Sequence, residues 1–397
     1  MGGRTAVVIG GGIGGLATAL ALHQRGWRVH VLERAPEFTD IGAGLSLWPN
    51  AMRALDVLGL ANQIRAKAAA ESGGGVRDRH GRWLSRADND EIARRYGWPM
   101  LLVHRADLVQ VLADAVPVEA LYAGCPMEAV QVNGDSLAVR YPGGTLRADL
   151  VVGADGIHSA VRRQWWPQAP APRYLGYAAW RMITRPVPES IGDGAVYWGR
   201  GERIGFTAMP GGRYYVFAAV SGPSGGGTDP TEFRKRFADW PQPIPLLLDT
   251  VDDDQMLRSD VYDLAEQPTY ARDRVALVGD AAHAMDPFLG QGACQALEDA
   301  VTLAACLEQC ADLEAALADY DRARRPRTRA IVRRARRLGA VAQWSWPTAV
   351  FARDLVASWL PRNAALRGID EILSWTPPTP GELSSRPVAT FGQPAAS

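Results

Sequence analysis

Cysteine is scarce in this chain. Cys125, Cys294, Cys306 and Cys310 are the four among 397 residues. They form neither a C-x-x-C metal spacing nor the density of a secreted disulfide framework, so four thiols in a reducing, cytoplasmic compartment are expected. Cys306 and Cys310 stand one helical turn apart, but within an apolar helical pattern, which reads as core and not as a ligand pair; no metal is assigned. Net charge is absent as well. Forty-three basic residues balance 43 acidic ones, so no global field attracts nucleic acid or an anionic membrane. Long hydrophobic runs are missing too. The nearest, residues 6–22, is broken by Gly10, Gly11, Gly12, Gly14 and Gly15 and is followed by no small-residue cleavage site, which argues against a signal peptide and a transmembrane helix alike. No internal repeat of fixed period and no Ser-His-Asp triad is discernible.

What the chain has is glycine, 41 residues of it, on a background that is 47% hydrophobic and 22% charged. That composition and length fit a globular protein of two or three structural units. Glycines gather at three turns. In the first, residues 5–9 read as an apolar strand, Gly10-Gly-Gly12-Ile13-Gly14-Gly15 as a turn, residues 16–25 as a helix closed by Gly26, and residues 27–32 as a second strand ending at Glu33-Arg34. Gly10 permits the tight turn, Gly12 lets the backbone reach a pyrophosphate, and Gly15 lets helix pack closely on strand. Glu33 is placed to accept hydrogen bonds from an adenosine ribose, which argues against a 2′-phosphate there. In the second, the strand at 149–153 runs into Asp155-Gly156, and a helix begins near His158 or Ser159 with Arg162 and Arg163 in its first turns. In the third, the strand at 274–278 ends at Gly279-Asp280, followed by Pro287-Phe288-Leu-Gly290-Gln291-Gly292-Ala293 at a helix start. There, backbone amides can approach a flat, electron-rich ligand.

These three turns, in this order, resemble the three signatures of the FAD-dependent aromatic hydroxylases, single-component flavoprotein monooxygenases with a para-hydroxybenzoate-hydroxylase-like fold. The likeness covers residues 4–345. Ser46-Leu-Trp-Pro-Asn50 and Gly176-Tyr-Ala-Ala-Trp180 are most similar to the salicylate, urate and zeaxanthin branch. The resemblance implies an α/β fold with a Rossmann-type (GR2-like) FAD-binding domain, an antiparallel β-sheet substrate domain and C-terminal helices. Residues 1–75, 97–172 and 268–345 would make a discontinuous FAD domain, 76–96 and 173–267 the substrate domain, and 346–397 a C-terminal helix and loosely ordered tail. FAD would be held by Gly10, Gly12, Ile13, Gly14, Gly15, Glu33, Arg34, Gly44, Leu45, Arg105, Asp155, Gly156, Gly279, Asp280, Pro287, Gly290, Gln291, Gly292 and Ala293. Asp280 would take the ribityl chain and Arg105 the ribityl and phosphate region.

Between the second and third turns the texture changes to aromatic-rich strands at 174–183, 195–198, 203–209 and 214–220, separated by Gly-rich turns, which reads as antiparallel sheet. Leu47, Arg181, Tyr197, Arg203, Phe206, Tyr215, Phe217 and Phe288 are the candidate pocket residues, although alternation turns only half of each strand inward. Arg203 and Tyr215 resemble substrate positions of the urate-hydroxylating members and, with Pro287, Gly290 and Gln291, are the catalytic candidates. Phe288 stands where those members carry an acidic residue, which favours a larger apolar aromatic over a small polar purine. His283 reads as a structural histidine of the cofactor domain. The arginines at 322–337 read as a solvated or intramolecularly paired helix face.

By resemblance, NADH or NADPH reduces FAD transiently, since no second dinucleotide fingerprint exists, and a flavin C4a-hydroperoxide delivers one oxygen atom of O2 to the substrate. The expected substrate is a small aromatic or polyene metabolite, no nucleic-acid partner is expected, and the protein is expected to be a monomer or homodimer. Alkene epoxidation, a flavin dehydrogenase or reductase that does not use O2, and a catalytically silent flavoprotein are the competing readings.

Overall fold

In a computed structural model the described residues are 3–39, 43–70, 73–187, 191–359 and 364–379. The tail expected to be loosely ordered lies, beyond residue 379, outside them. Each glycine turn closes a strand of one sheet. Thr5–Ile9, Arg28–Leu32, Leu121–Tyr122, Leu150–Gly153 and Val275–Leu277 are parallel neighbours in a six-stranded sheet whose outer strand, Ala271–Arg272, runs antiparallel. Their near-continuous apolar sequence follows from burial on both faces. The helices Ile13–His23 and Gly292–Gln309 pack on this sheet within one large apolar core.

A second, seven-stranded sheet carries the aromatic segment in the order Leu257–Asp263, Arg173–Ile183, Arg213–Ser221, Glu202–Met209, Ala195–Trp198, Gly73–Asp78, Trp83–Asp88. It departs from a fully antiparallel sheet at one place: Gly73–Asp78 pairs parallel to Ala195–Trp198. That strand arrives from a distant part of the chain, so no hairpin dictates its direction. Helices Pro230–Phe237 and Ile244–Asp249 cover one face of this sheet, where Trp180, Tyr197, Phe206, Tyr214, Phe233 and Phe237 form a compact apolar cluster. The opposite face turns toward the cofactor-type turns.

Helix Gly292–Gln309 and the 30-residue helix Leu313–Ala342 meet across buried charge. Arg324, 1% exposed, donates to both Glu298 and Asp299, through Nε to Asp299 Oδ1 at 2.6 Å. Arg327 adds two bonds to Glu298, at 2.7 and 2.9 Å. Thus two arginines of the basic run are drawn inside, while Arg325, Arg329 and Arg333 pair with Asp321 and Glu266 nearer the surface. Burial alone would raise both acidic groups, but Arg327 and Arg324 around Glu298, and His283 and Arg324 around Asp299, outweigh it and hold both carboxyls below their ordinary range. Removing one partner of such a cluster leaves an uncompensated buried charge.

Arg324→Met is therefore expected to cost about 3–5 kcal/mol in urea unfolding. Because the two folded carboxyl pKa values are depressed, the stabilisation is present above roughly pH 4 and is lost as pH falls through the folded values. A stability-versus-pH series should show a steep acid limb in the parent and a flatter one in Arg324→Met; equal limbs would remove the network from the account.

Candidate active site

The first turn is built by steric exclusion. Gly10 has φ of 109°, and a Cβ there would lie 2.4 Å from the Ala154 carbonyl oxygen; a Cβ on Gly15 would lie 1.9 Å from the Gly10 oxygen. Only glycine lets strand, turn and helix approach this closely. Gly12 differs, since a Cβ there would meet nothing within 4 Å. It caps helix Ile13–His23, facing open space at an N-terminus whose first amides have no intrahelical acceptor. Ile13 is buried, Gly14 packs toward Ala296, and Arg34 is exposed. The Glu33 carboxylate accepts from Gly11 N at 2.6 Å and Ala35 N at 2.8 Å, so it also braces the turn from the end of its strand.

Asp155 similarly braces the second turn, accepting from Ala160 N at 2.6 Å and Val161 N at 3.2 Å through Oδ2, while its buried Oδ1 has no partner. Gly156 beside it has φ of 78° and open space at its Cβ position. Buried Arg162 donates to Ala281 O at 2.7 Å and to Ile157 O at 2.5 Å, joining the second turn to the third.

In the third turn Gly279 (φ 58°) donates its N–H to Asp299 at 2.8 Å, and His283 Nε2 meets the same oxygen at 2.6 Å. His283 is thus a buried structural side chain bound to Asp299. Asp280 opens helix Asp280–His283 with its carboxylate exposed, and a Cβ on Gly292 would lie 3.9 Å from Asp280 Oδ1. Carboxylate and the start of helix Gly292–Gln309 therefore adjoin. Pro287 begins the short turn Pro287–Leu289, Gly290 closes it at φ 61° against Trp48 Nε1, and Ala293 sits in the first helical turn. Gln291 is turned inward: its Oε1 accepts from Asn50 and Gln295, each at 3.0 Å.

Gly44 and Leu45 lie on strand Gly44–Leu47, paired with Leu101–His104, and Arg105 follows that partner strand with its N–H on Ala43 O at 2.9 Å. A Cβ on Gly44 would lie 2.3 Å from the Tyr215 ring. Here the second sheet touches strand Gly44–Leu47, and burial pushes the Tyr215 hydroxyl up to about 12 despite Arg181 and Arg105 nearby. On the same sheet face Arg181 donates to Ser259 Oγ at 2.6 Å, and Phe217 lies 5.8 Å from Tyr215, ring centre to ring centre. Arg203, 5% exposed, holds its guanidinium 4.9 Å from the Phe288 ring centre, 3.3 Å from Tyr177 Oη and 3.8 Å from Asp286 Oδ1. Its buried Nη1 has no partner.

The chain matches a family described as "FAD binding domain" over residues 4–335. It is 37% identical to an aurachin C monooxygenase/isomerase of Stigmatella aurantiaca over 358 residues, covering 89% of this chain and 93% of that protein. It is also 37% identical to a 3-amino-4-hydroxybenzoate 2-monooxygenase of Streptomyces cremeus over 351 residues, covering 83% and 86%. The solved structure of Klebsiella pneumoniae HpxO with FAD and uric acid superposes with a TM-score of 0.87 at 30% identity, covering 94% of this chain and 97% of that one. The chain belongs to this family of FAD-dependent monooxygenases. FAD is its cofactor, and the residues described here fit it: an open cradle at Gly12, a free carboxylate at Asp280 and an amide-rich helix start at Gly292.

Three pocket expectations are corrected for this FAD monooxygenase. Tyr197 and Phe206 point to the far face of the sheet, into the cluster with Phe233 and Phe237, because their neighbours Trp198 and Arg203 hold the near face and strand residues alternate. Leu47 is fully buried in the core of the parallel sheet. Two residues went unnoticed. Tyr177 lies on the Arg181 face by the same alternation, a signal the sequence contained. Asp286, 1% exposed, accepts from Phe288 N at 2.8 Å; burial raises its carboxyl against the opposing charge of Arg203. Its space is made by Gly339 on helix Leu313–Ala342, where a Cβ would lie 2.3 Å from Asp286 Oδ2, and no local pattern announces that contact.

Asp280→Ala should lower the flavin content of purified protein at least tenfold while leaving the unfolding free energy of the flavin-free protein within about 0.5 kcal/mol, since the side chain is exposed. Absorbance of bound flavin against protein checks this, and an undiminished ratio would withdraw Asp280 from the cofactor site.

Proposed function

We propose that this monooxygenase inserts one oxygen atom into an apolar, uncharged heteroaromatic or phenolic ring bearing an oxygen substituent, held between Tyr215, Phe217 and Phe288. The buried, partnerless Nη1 of Arg203 carries the reading. A donor left unsatisfied in a dry pocket is costly, and a ligand oxygen that accepts from it recovers that cost. Asp286 lies 3.8 Å from the guanidinium and offsets its charge, so a neutral acceptor suffices at the open donor. Phe288 lays an aromatic face beside Arg203, which suits a larger ring than a purine. The relatives named for aurachin C and for an aminohydroxybenzoate support oxygenation and, in the second case, an aromatic substrate.

Bound FAD would supply electron transfer from reduced nicotinamide and the activation of O2. The chain's own residues do the rest. Gly12 and the N-terminus of helix Ile13–His23 would receive the pyrophosphate of FAD, and Asp280 would accept from its ribityl hydroxyls. The amides and dipole at Gly292 favour negative charge on the ring system. Tyr215, neutral at physiological pH, and Phe217 keep water from the reacting centre. Arg203 orients the substrate's oxygen substituent, and Tyr177 and Asp286 hold Arg203. In this reading the pocket lies between the discontinuous FAD domain and the sheet domain, in a cytoplasmic protein.

Substrate-stimulated oxidation of NADH and NADPH across a panel tests the proposal. Neutral hydroxylated heteroaromatics should stimulate oxidation more than urate or simple benzoates, and Arg203→Gln should raise KM on the order of 10- to 100-fold, the worth of a hydrogen bond to a charged group. Preferential stimulation by urate, or an unchanged KM in a well-folded Arg203→Gln, would refute it.

A further inference from the structure

Helix Pro347–Trp359 is amphipathic in the reverse of the usual sense. Its one arginine, Arg353, is 5% exposed and points inward, donating to Ala342 O at 3.0 Å and Gly199 O at 3.1 Å with its guanidinium 5.2 Å from the Trp198 ring centre. Outward point Phe351, Leu355 and Trp359, spaced four residues apart, with Val356 beside them and Trp346 just before the helix. Trp346, Phe351 and Trp359 are 76%, 70% and 79% exposed. A surface helix ordinarily buries its apolar stripe and exposes its charges. Here the charge anchors the helix and the stripe is left outside.

The three rings alone expose on the order of 500 Å² at 150–250 Å² each, a size at which an apolar patch marks an interaction surface. With the aliphatic side chains the stripe approaches the roughly 800 Å² that each partner contributes to a stable protein interface. Its charge pattern selects the partner. The one acidic residue of the helix, Asp354, is half-buried and bound by Arg353 at 2.8 Å, and no lysine or arginine borders the stripe on its own helix. An interfacial membrane helix carries a basic polar face to engage anionic lipid. This one carries none. A two-fold axis, by contrast, sets one patch against its own copy, residue i meeting j and j meeting i, so an uncharged apolar stripe is self-complementary where a stripe of one charge sign would repel itself.

We propose that the outward stripe of Pro347–Trp359 is the contact of an isologous homodimer, each copy's helix packing on the other's. The inward face places Arg353 on Trp198, whose ring centre lies 6.1 Å from that of Phe288, so the dimer contact backs the wall of the substrate pocket.

Sedimentation velocity of the full, FAD-loaded chain at micromolar concentrations, with and without neutral and anionic phospholipid vesicles, tests this. The parent should sediment as a dimer that ignores both vesicle types. Phe351→Glu/Val356→Glu, altering only exposed side chains, should weaken the dimer on the order of 100-fold in dissociation constant, as expected for central interface residues. Its flavin content and far-UV circular dichroism should stay at parental values, while its thermal midpoint should fall only as far as loss of the association allows. A parent that is monomeric at every concentration overturns the proposal, whether vesicles bind it or its own residues 380–397 cover the stripe. A double variant that remains as dimeric as the parent overturns it equally.

Discussion

Arg324 is the hub on which the site depends. Two carboxylates, Glu298 and Asp299, are adjacent on one helix and fully buried, an arrangement that would push apart or protonate without a compensating cation. Arg324 supplies that cation from the neighbouring helix, and Arg327 reinforces it. The charges are then free to organise backbone. Asp299 grips Gly279 N, fixing the left-handed turn that presents Asp280, and Glu298 accepts from Asn50, which also holds Gln291. The loops around Gly279 and Gln291 are thus set by a buried polar cluster. Such a cluster is a weak source of net stability but a strong constraint on geometry.

The same logic of one group held by another runs through the substrate side. Strand alternation divides the second sheet into an apolar face locked under helices Pro230–Phe237 and Ile244–Asp249 and a mixed face bearing Tyr177, Arg181, Arg203, Tyr215 and Phe217. On that face Arg203 is fixed by Asp286 and Tyr177 while retaining one unused donor. In the proposed pocket, selection would rest on shape and on that one donor. The Asp286 side chain reaches this position only because Gly339, remote in sequence, leaves room.

Much of this was legible from the chain alone, for physical reasons. The glycine turns declare themselves because sterics at Gly10 and Gly15 admit no other residue. The long helices follow from apolar spacing, while FAD chemistry comes from the resemblance of the three turns to a known family. Tyr197 and Phe206 were misassigned because a strand's period is readable but its phase is not: nothing local says which face meets the cofactor until Arg203 and Tyr215 are placed together. Leu47 was misassigned because an apolar residue beside a site and one beneath it look alike in sequence. Arg324 and Arg327 hid within a run of surface arginines, and Asp286 hid behind a contact with residue 339. The roles of Arg324, Arg327 and Asp286 each involve a partner far along the chain, whereas that of Tyr177 lay in the alternation of its own strand.

The central claim is that these turns and this sheet face together make a flavin monooxygenase acting on an aromatic ring. The most direct measurement is turnover under isotopically heavy dioxygen, with the panel compound that most stimulates reduced-nicotinamide oxidation, followed by mass spectrometry of the product. The account predicts one heavy oxygen atom per product molecule for each nicotinamide coupled to product. Product carrying only solvent oxygen, or equal turnover without dioxygen and with an artificial electron acceptor, would contradict it.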